Sequence, residues 1–267
     1  MNSVMRFKGF ATATATSVGA LIAALAIGAS TASADEEDAR RLLMAMSDYL
    51  AAQDTLSFDY DSLHEVVTTE GEKLGLANSG TVTIDRPNQI HATRHGGFSD
   101  VEMAFDGQTF AVRDGGAGLM TTLDLPGNID SLTDALRDTY GRPLPAADLL
   151  GSAPFGALMS EVSEVKDLGS GVIGGVQCDH LAFRADEVDW QIWIAHGDVP
   201  HPCLFVVTTP GVPQAPQYSV LIRDWRSDTG DAGFTLSATD GVTEVDFETF
   251  AATAQTYPDH FTLEDTK

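Results

Sequence analysis

Basic residues are scarce in this chain: 15 lysines and arginines stand against 39 aspartates and glutamates among 267 residues, a formal net charge of −24. Binding to nucleic acid requires a basic surface that neutralises phosphates, so this composition excludes nucleic acid as a partner. It disfavours an anionic membrane surface for the same reason. The acidity is more typical of a solvated surface that resists association than of a surface for a cationic partner, and we expect a monomer.

Motifs that carry catalysis or bind cofactors are missing as well. There is no GxSxG nucleophile elbow, and the glycine-rich stretch Gly169–Gly175 lacks the lysine and the helix start of a phosphate-binding loop. His91 and His95 lie four residues apart on a predicted strand, about 13 Å, which is too far for one metal ion. His196 and His201 flank a turn and are the better metal candidates, although exposed turn histidines are the simpler explanation. We therefore predict that the protein is not an enzyme and that it has no cofactor and no bound metal.

No apolar run reaches the roughly 20 residues that a membrane-spanning helix needs. The longest, Val18–Ala29, is preceded by Arg6 and Lys8 and followed by Ala-Ser-Ala at 32–34 and then by acidic residues. This is the pattern of a secretory signal peptide. We predict cleavage near Ala34 and a soluble periplasmic protein. Because the signal peptide contains two basic and no acidic residues, the mature chain has a formal charge of −26.

Cysteine is the rarest residue type, with only Cys178 and Cys203. In an oxidising compartment, two cysteines most simply form one disulfide. A bridge here closes a loop of about 25 residues and stabilises the fold by about 3–4 kcal/mol in the chain-entropy model. A metal-binding or redox pair is the alternative, but the spacing matches neither a CxxC nor a zinc pattern. We predict a structural disulfide.

The periodicity of apolar residues predicts an α+β protein. Residues 35–53 have apolar side chains at three- and four-residue spacing, which indicates an amphipathic helix. Short β-rich runs separated by turns predict antiparallel strands between 56 and 125 and again between 166 and 225, with a last strand at Phe234–Ser237. Helical pieces interrupt the strands within 129–162. The simplest architecture is one domain with helices on one face of a long antiparallel sheet.

Three neighbouring strands between Val176 and Trp225 alternate in a way that predicts one large apolar face. Its members are Trp190, Ile192 and Ile194 in the first strand, Cys203, Phe205 and Val207 in the second, and Tyr218, Val220 and Ile222 in the third. If helices cover this face completely, it is only core. If they leave a gap, the face lines a site for an apolar ligand. The predicted cavity-lining residues are Trp190, Ile192, Ile194, Phe205, Val207, Tyr218, Val220 and Ile222.

Several stretches of the chain resemble known families. MSDYLAAQ, PLPAADLL, KDLGSGVIGGVQCDHLAFR, VDWQIWIA and APQYSVLIRDW resemble the DUF2092 family of predicted periplasmic proteins, over most of residues 40–247. SGTVTIDRPNQIHATR followed by MAFDGQTFAVRD is similar to the core of the LolA/LolB-like superfamily of lipoprotein-localisation proteins. The resemblance implies a curved, incomplete β-barrel closed over by helices, with an apolar cavity that holds acyl chains in the best-known members. It also implies a Cys178–Cys203 disulfide, but it supplies no established function.

Together these observations predict a signal peptide at 1–34, one LolA-like domain over 35–247 and a polar C-terminal tail at 248–267. The domain is expected to be mainly β with helices, the helices covering the concave apolar face of a curved antiparallel sheet. The predicted function is binding of a lipid, an acylated molecule or another apolar ligand, as a carrier or chaperone-like protein. The alternative is an envelope sensor or protein-interaction module that uses the same fold to engage an envelope protein.

Overall fold

The computed structural model describes residues 31–253 except 143, 145 and 231, with only the backbone at 31–34. The predicted signal peptide therefore lies outside the described residues apart from its last four, and the predicted tail lies outside them after residue 253. The helices are α1 (Thr31–Ala51), α2 (Ile129–Asp134, continued by a π-helical turn at Ala135–Thr139), α3 (Pro154–Leu158, after a 3-10 turn at Ala147–Leu149) and α4 (Phe247–Thr253).

Twelve strands form one curved, unclosed sheet. They are β1 (Thr55–Val67), β2 (Lys73–Asp85), β3 (Gln89–Gly96), β4 (Ser99–Phe105), β5 (Thr109–Asp114), β6 (Leu119–Asp124), β7 (Glu164–Ile173), β8 (Val176–Arg184), β9 (Asp189–Ala195), β10 (Pro202–Thr208), β11 (Gln217–Arg226) and β12 (Thr243–Glu244). Their order across the sheet is β12-β6-β5-β4-β3-β2-β1-β11-β10-β9-β8-β7. Every neighbouring pair is antiparallel except β12 with β6, so the predicted sheet is confirmed, with one parallel pair at its edge.

Most of the apolar core lies on one face of this sheet, here called the inner face, in two large clusters. The first joins β1–β6 and β11 to α2 and α4, and Leu56, Ile84 and Phe105 are fully buried in it. The second joins β7–β10 to α1 and α3, with Leu43 and Ile192 fully buried. The two halves of the sheet are thus covered by different helices, as expected for a sheet too wide for one helix.

Helix α1 packs on β7 and β9 through one apolar stripe. Ala39, Leu43, Met46 and Leu50 recur at three- and four-residue spacing and are at most 1% exposed. Met44, which the same spacing places outside the stripe, is 39% exposed. The helix predicted over 35–53 is therefore confirmed, with the predicted orientation.

Helix α2 begins at a capping box. The Asn128 side chain accepts a hydrogen bond from the Ser131 backbone N–H, and the Ser131 hydroxyl oxygen accepts one from the Asn128 N–H. Its buried residues, Ile129, Leu132 and then Leu136, recur at three- and four-residue spacing and pack into the first cluster. A local cap and an apolar stripe together hold this short helix on the sheet.

The strand predicted at Phe234–Ser237 is wrong. Within the described chain this segment pairs with no strand, and the last strand is β12. Residues 227–230 and 232–242 instead lie along the outer face of the sheet, where the Asp228 carbonyl accepts a hydrogen bond from Ser57 and the Thr239 hydroxyl accepts one from Arg113. The following helix α4 buries Phe250 in the first cluster, so residues just beyond the predicted domain end contribute to the core.

Candidate ligand-binding site

The eight predicted cavity residues lie together on the inner face of β9, β10 and β11. In register, Phe205 lies between Ile192 and Val220, and Val207 lies between Trp190 and Tyr218. Six of the eight are at most 9% exposed and belong to the two clusters beneath the helices. Val207 and Tyr218 are only half-buried. The structure thus packs most of the predicted cavity lining against helices and leaves one end of it accessible.

Cys203 departs from the predicted apolar set. The pairing of β10 with β9 shifts register between Pro202 and Leu204, and this β-bulge turns Cys203 away from Phe205. Cys203 joins Cys178 in a small separate cluster with Ala195 at the end of β9. Both cysteines are buried thiols here: Cys178 donates to the Val176 carbonyl and Cys203 to the His201 carbonyl, and burial raises the pKa of both. The predicted disulfide stays a prediction; the structure places the two cysteines in the same small cluster.

Arg86 ties the helices to the sheet. Its guanidinium donates hydrogen bonds to the Leu150 carbonyl after the 3-10 turn, at 2.8 Å, and to the Leu50 carbonyl in the last turn of α1, at 3.5 Å. Its Nε is buried without a partner among the described residues, and burial lowers the pKa of the side chain. A partly desolvated cation therefore joins the ends of two helical segments where they meet above the sheet.

Trp225 lies between the two core clusters and contacts both. Its indole N–H donates to the Tyr49 hydroxyl of α1 at 3.2 Å, and its ring stacks on Phe58 with centroids 5.5 Å apart. The His201 ring also stacks on Trp225, with centroids 5.3 Å apart, and burial lowers the pKa of this histidine. Because Asp224 adopts a left-handed φ of 51°, β11 bulges here, which allows the tryptophan to reach this position.

The inner face continues beyond the helices as a partly covered surface. The cross-strand row Leu56, Ile84, Ile90 and Phe105 is at most 2% exposed beneath α2. Further along the same strands the side chains are only half-buried. We call this surface the inner ledge and define it by Tyr60, Arg94, Val101, Met103, Val207 and Tyr218.

A break in the sheet ladder shapes the inner ledge. Tyr60 lies across Gly80, and its hydroxyl donates a 2.9 Å hydrogen bond to the Thr93 carbonyl of β3. In place of a ladder hydrogen bond to β3, the Thr81 N–H donates to the Thr93 hydroxyl at 3.0 Å. A side chain at position 80 would collide with both Thr93 and the Tyr60 ring, so glycine is what allows Tyr60 to lie flat on the sheet.

Arg94 is the one cation of the inner ledge, and its position was not singled out from the sequence. It follows Ile90 and Ala92 at two-residue spacing, the pattern that places it on the inner face. That spacing, in a chain with few basic residues, is the sequence signal that could have identified Arg94 as a cation on the inner face. The Nε of Arg94 donates to the Ser99 hydroxyl at 2.8 Å.

Two other candidate sites, a cleft between α2 and α3 and the histidines, lack the apolar character of the inner ledge. A cleft of about 460 Å³ opens between α2 and α3, but acidic side chains including Asp130, Asp134 and Asp148 line it together with Arg137. The histidines considered as metal ligands form hydrogen bonds with protein groups instead; His91, for example, bonds to Glu102 at 2.9 Å. The part of the chain that the structure describes contains no group of three side chains suited to hold a metal ion.

The fold and the site define a class of protein: one with a single curved, open sheet whose apolar inner face is covered by helices over most, but not all, of its extent. Among described residues, none of the helices has the length and apolar character needed to cross a bilayer. The chain belongs to the DUF2092 family of predicted periplasmic proteins, whose sequence model matches residues 39–248. The family predicted from sequence is therefore confirmed.

Comparison with solved structures finds several similar proteins at low identity. Lipoprotein LppX of Mycobacterium tuberculosis is 12% identical, with 75% of this chain and 100% of that chain covered and a TM-score of 0.47. MucB, from the MucA/MucB complex of Pseudomonas aeruginosa, is 14% identical, with 75% and 62% covered and a TM-score of 0.41. A LolA superfamily protein of Nitrosomonas europaea is 9% identical, with 74% and 97% covered and a TM-score of 0.34. No curated protein matches.

Proposed function

We propose that this protein is exported to the periplasm and binds a lipid or another molecule with an apolar chain, as a carrier and not as an enzyme. The observation that carries this proposal is the inner ledge, an apolar surface that continues the core beyond its helical cover. Each methylene group buried on such a surface contributes about 0.8 kcal/mol. A chain of ordinary acyl length therefore has enough apolar area to bind even when only part of it is covered.

The way the helices are attached supports a site that extends beneath them. Different helices cover the two halves of the sheet, and α1 is tied to the sheet by hydrogen bonds from Arg86 and Trp225. These contacts include polar ones that water can replace once the helices separate from the sheet. A ligand first bound at Val207 and Tyr218 is adjacent to Trp190, Phe205 and Val220, and it reaches them if α1 moves.

Two neighbouring residues of β10 provide a matched test. Val206 and Val207 are both half-buried but lie on opposite faces of the sheet. We expect Val207→Gln to weaken uptake of a fluorescent fatty acid several-fold, whereas Val206→Gln leaves uptake unchanged. Native mass spectrometry of protein purified from its own periplasm should show a bound amphiphile. A ligand-free mass, together with no uptake by the unmodified protein, would exclude the proposal.

The alternative function, recognition of an envelope protein, is favoured by a different surface. β7 is an edge strand, and the β7–β8 hairpin exposes Leu168, Val172 and Val176 by 50%, 69% and 42%. An edge strand with exposed apolar side chains can pair with an extended segment of a partner. Crosslinking in the periplasm should then capture one defined protein with the unmodified chain but not with Val172→Lys. Recovery of the uncrosslinked monomer alone would count against this function.

A further inference from the structure

Most of the ten arginines that the structure describes are paired with carboxylates. Among the described residues, seven form ion pairs: Arg40, Arg41, Arg113, Arg137, Arg184, Arg223 and Arg226. Arg86 and Arg142 instead donate to backbone carbonyls. Arg94 donates to a serine hydroxyl and has no carboxylate at ion-pair distance in the described part of the chain. With 39 acidic residues available, an unpaired, half-buried arginine requires an explanation.

The groups around Arg94 do not neutralise it. Burial raises the pKa of Tyr60 to about 12 and raises that of Tyr218 as well, so both hydroxyls are uncharged at neutral pH. Burial and the positive charge of Arg94 lower the pKa of His64, whose ring contacts Tyr218, so this histidine is also neutral. The ledge therefore carries one uncompensated positive charge near the uncharged Tyr218 hydroxyl, whereas the Tyr60 hydroxyl already donates its proton to the Thr93 carbonyl.

The nearest carboxylate on the same face by register is engaged elsewhere. Asp114 pairs with Val101, which in turn pairs with Arg94, so Asp114 lies two strands away from the arginine. It is 6% exposed, and its carboxylate accepts a hydrogen bond from the Ala117 N–H in the turn after β5. This leaves the Arg94 charge available to an external anion.

The surroundings of Arg94 select one kind of anion. A guanidinium is matched in geometry to a carboxylate or a phosphate. A small free anion, however, is repelled by a chain of net charge −24 and gains nothing from the apolar surface of Val101 and Met103. We propose that Arg94 binds the anionic head group, carboxylate or phosphate, of an amphiphile whose apolar chain lies on the inner ledge. This inference rests on the proposed function and adds the chemical class of the ligand.

The test compares two probes with the same apolar chain and a charged or an uncharged head group: a BODIPY-labelled dodecanoic acid and its methyl ester. Each is titrated into the mature protein and into Arg94→Gln and Arg223→Gln. Arg223 is the matched control, because it lies on the same sheet but pairs with Asp61 on the outer face. We expect the unmodified protein and Arg223→Gln to prefer the acid by about tenfold, and Arg94→Gln to lose that preference while binding the ester unchanged.

Two further measurements do not depend on how well Arg94→Gln folds. Arg94→Lys keeps the charge and should retain part of the preference. In the unmodified protein the preference for the acid should decrease at high salt, while ester binding does not. Equal binding of acid and ester by the unmodified protein overturns the head-group inference and leaves the proposed function intact. Absence of binding by both probes overturns both. Binding of inorganic phosphate as tightly as the acid assigns the site to a small anion and also overturns the inference.

Discussion

Replacing Gly80 with alanine should destabilise the protein through a steric conflict that can be located in the structure. The new Cβ would lie 1.9 Å from the Thr93 carbonyl oxygen and 2.8 Å from the Tyr60 ring. Gly80 lies on β2 at the point where Tyr60 lies across the strand and bonds to β3. Because the closest contact is with backbone, rotation of a side chain cannot relieve it.

The size of the loss in unfolding free energy follows from the groups that the new Cβ displaces. To reach an acceptable contact, the Thr93 carbonyl must shift by about 1 Å. The β2–β3 residue pairs before and after Thr93 hold β3 in place and oppose this shift. The shift breaks the Tyr60–Thr93 and Thr81–Thr93 hydrogen bonds, about 1 kcal/mol each. Overpacking adds about 1–3 kcal/mol to the loss of stability. The lower conformational entropy of alanine in the unfolded state offsets about a few tenths of a kcal/mol. We expect a net loss of about 3 kcal/mol.

Urea unfolding followed by tryptophan fluorescence measures this loss. The expected result is a midpoint lowered by roughly 1 M with an unchanged slope. Gly75→Ala is the matched control on the same strand, because its Cβ would meet only the Leu63 side chain at 3.0 Å, and that side chain is exposed and can rotate. Equal midpoints for the Gly80 and Gly75 variants would refute the steric argument and the position of Tyr60.

Three more outcomes are expected. Leu43→Ala should lower the free energy of unfolding by about 3 kcal/mol, while its exposed neighbour Met44→Ala changes it by less than about 0.5 kcal/mol in a urea melt. Exported protein should show no titratable thiol at Cys178 or Cys203 when unfolded without reductant, and reduction should cost about 3–4 kcal/mol; two reactive thiols would exclude the bridge. Because burial lowers the His201 pKa below its usual 6.5, the unfolded state binds a proton more readily, so stability should fall as pH decreases through 6.5. The urea midpoint of His201→Asn should depend less on pH over that range.

Much of the inner face could be predicted because side chains alternate strictly along a strand. Trp190, Ile192 and Ile194 face inward as predicted, and Gln191 and Trp193 lie on the opposite face. The alternation needs no knowledge of the partner strand, since it is a property of the extended backbone. The stripe of α1 could be predicted for the same kind of reason, from the helical repeat.

Features that depend on pairing between distant segments could not be predicted. The bulge that removes Cys203 from the apolar set is a shift in the pairing of β10 with β9, which the sequence of β10 alone does not encode. Phe234–Ser237 has the composition of a strand, but no sheet edge is available where the chain crosses the outer face. Phe250, in a polar stretch, is buried only because α4 returns to the first cluster.

The sequence by itself determined the family, the acidic surface and the residues that share the inner face, because composition and period are local properties. Only the tertiary structure decided how far the helices extend over that face, and therefore that Val207 and Tyr218 stay accessible while Phe205 and Val220 are buried. It also decided that Arg94 has no acidic partner among the described residues, since ion pairing depends on which strands become neighbours. Helix cover and charge pairing are both set by contacts between segments far apart in the chain, which no local pattern encodes.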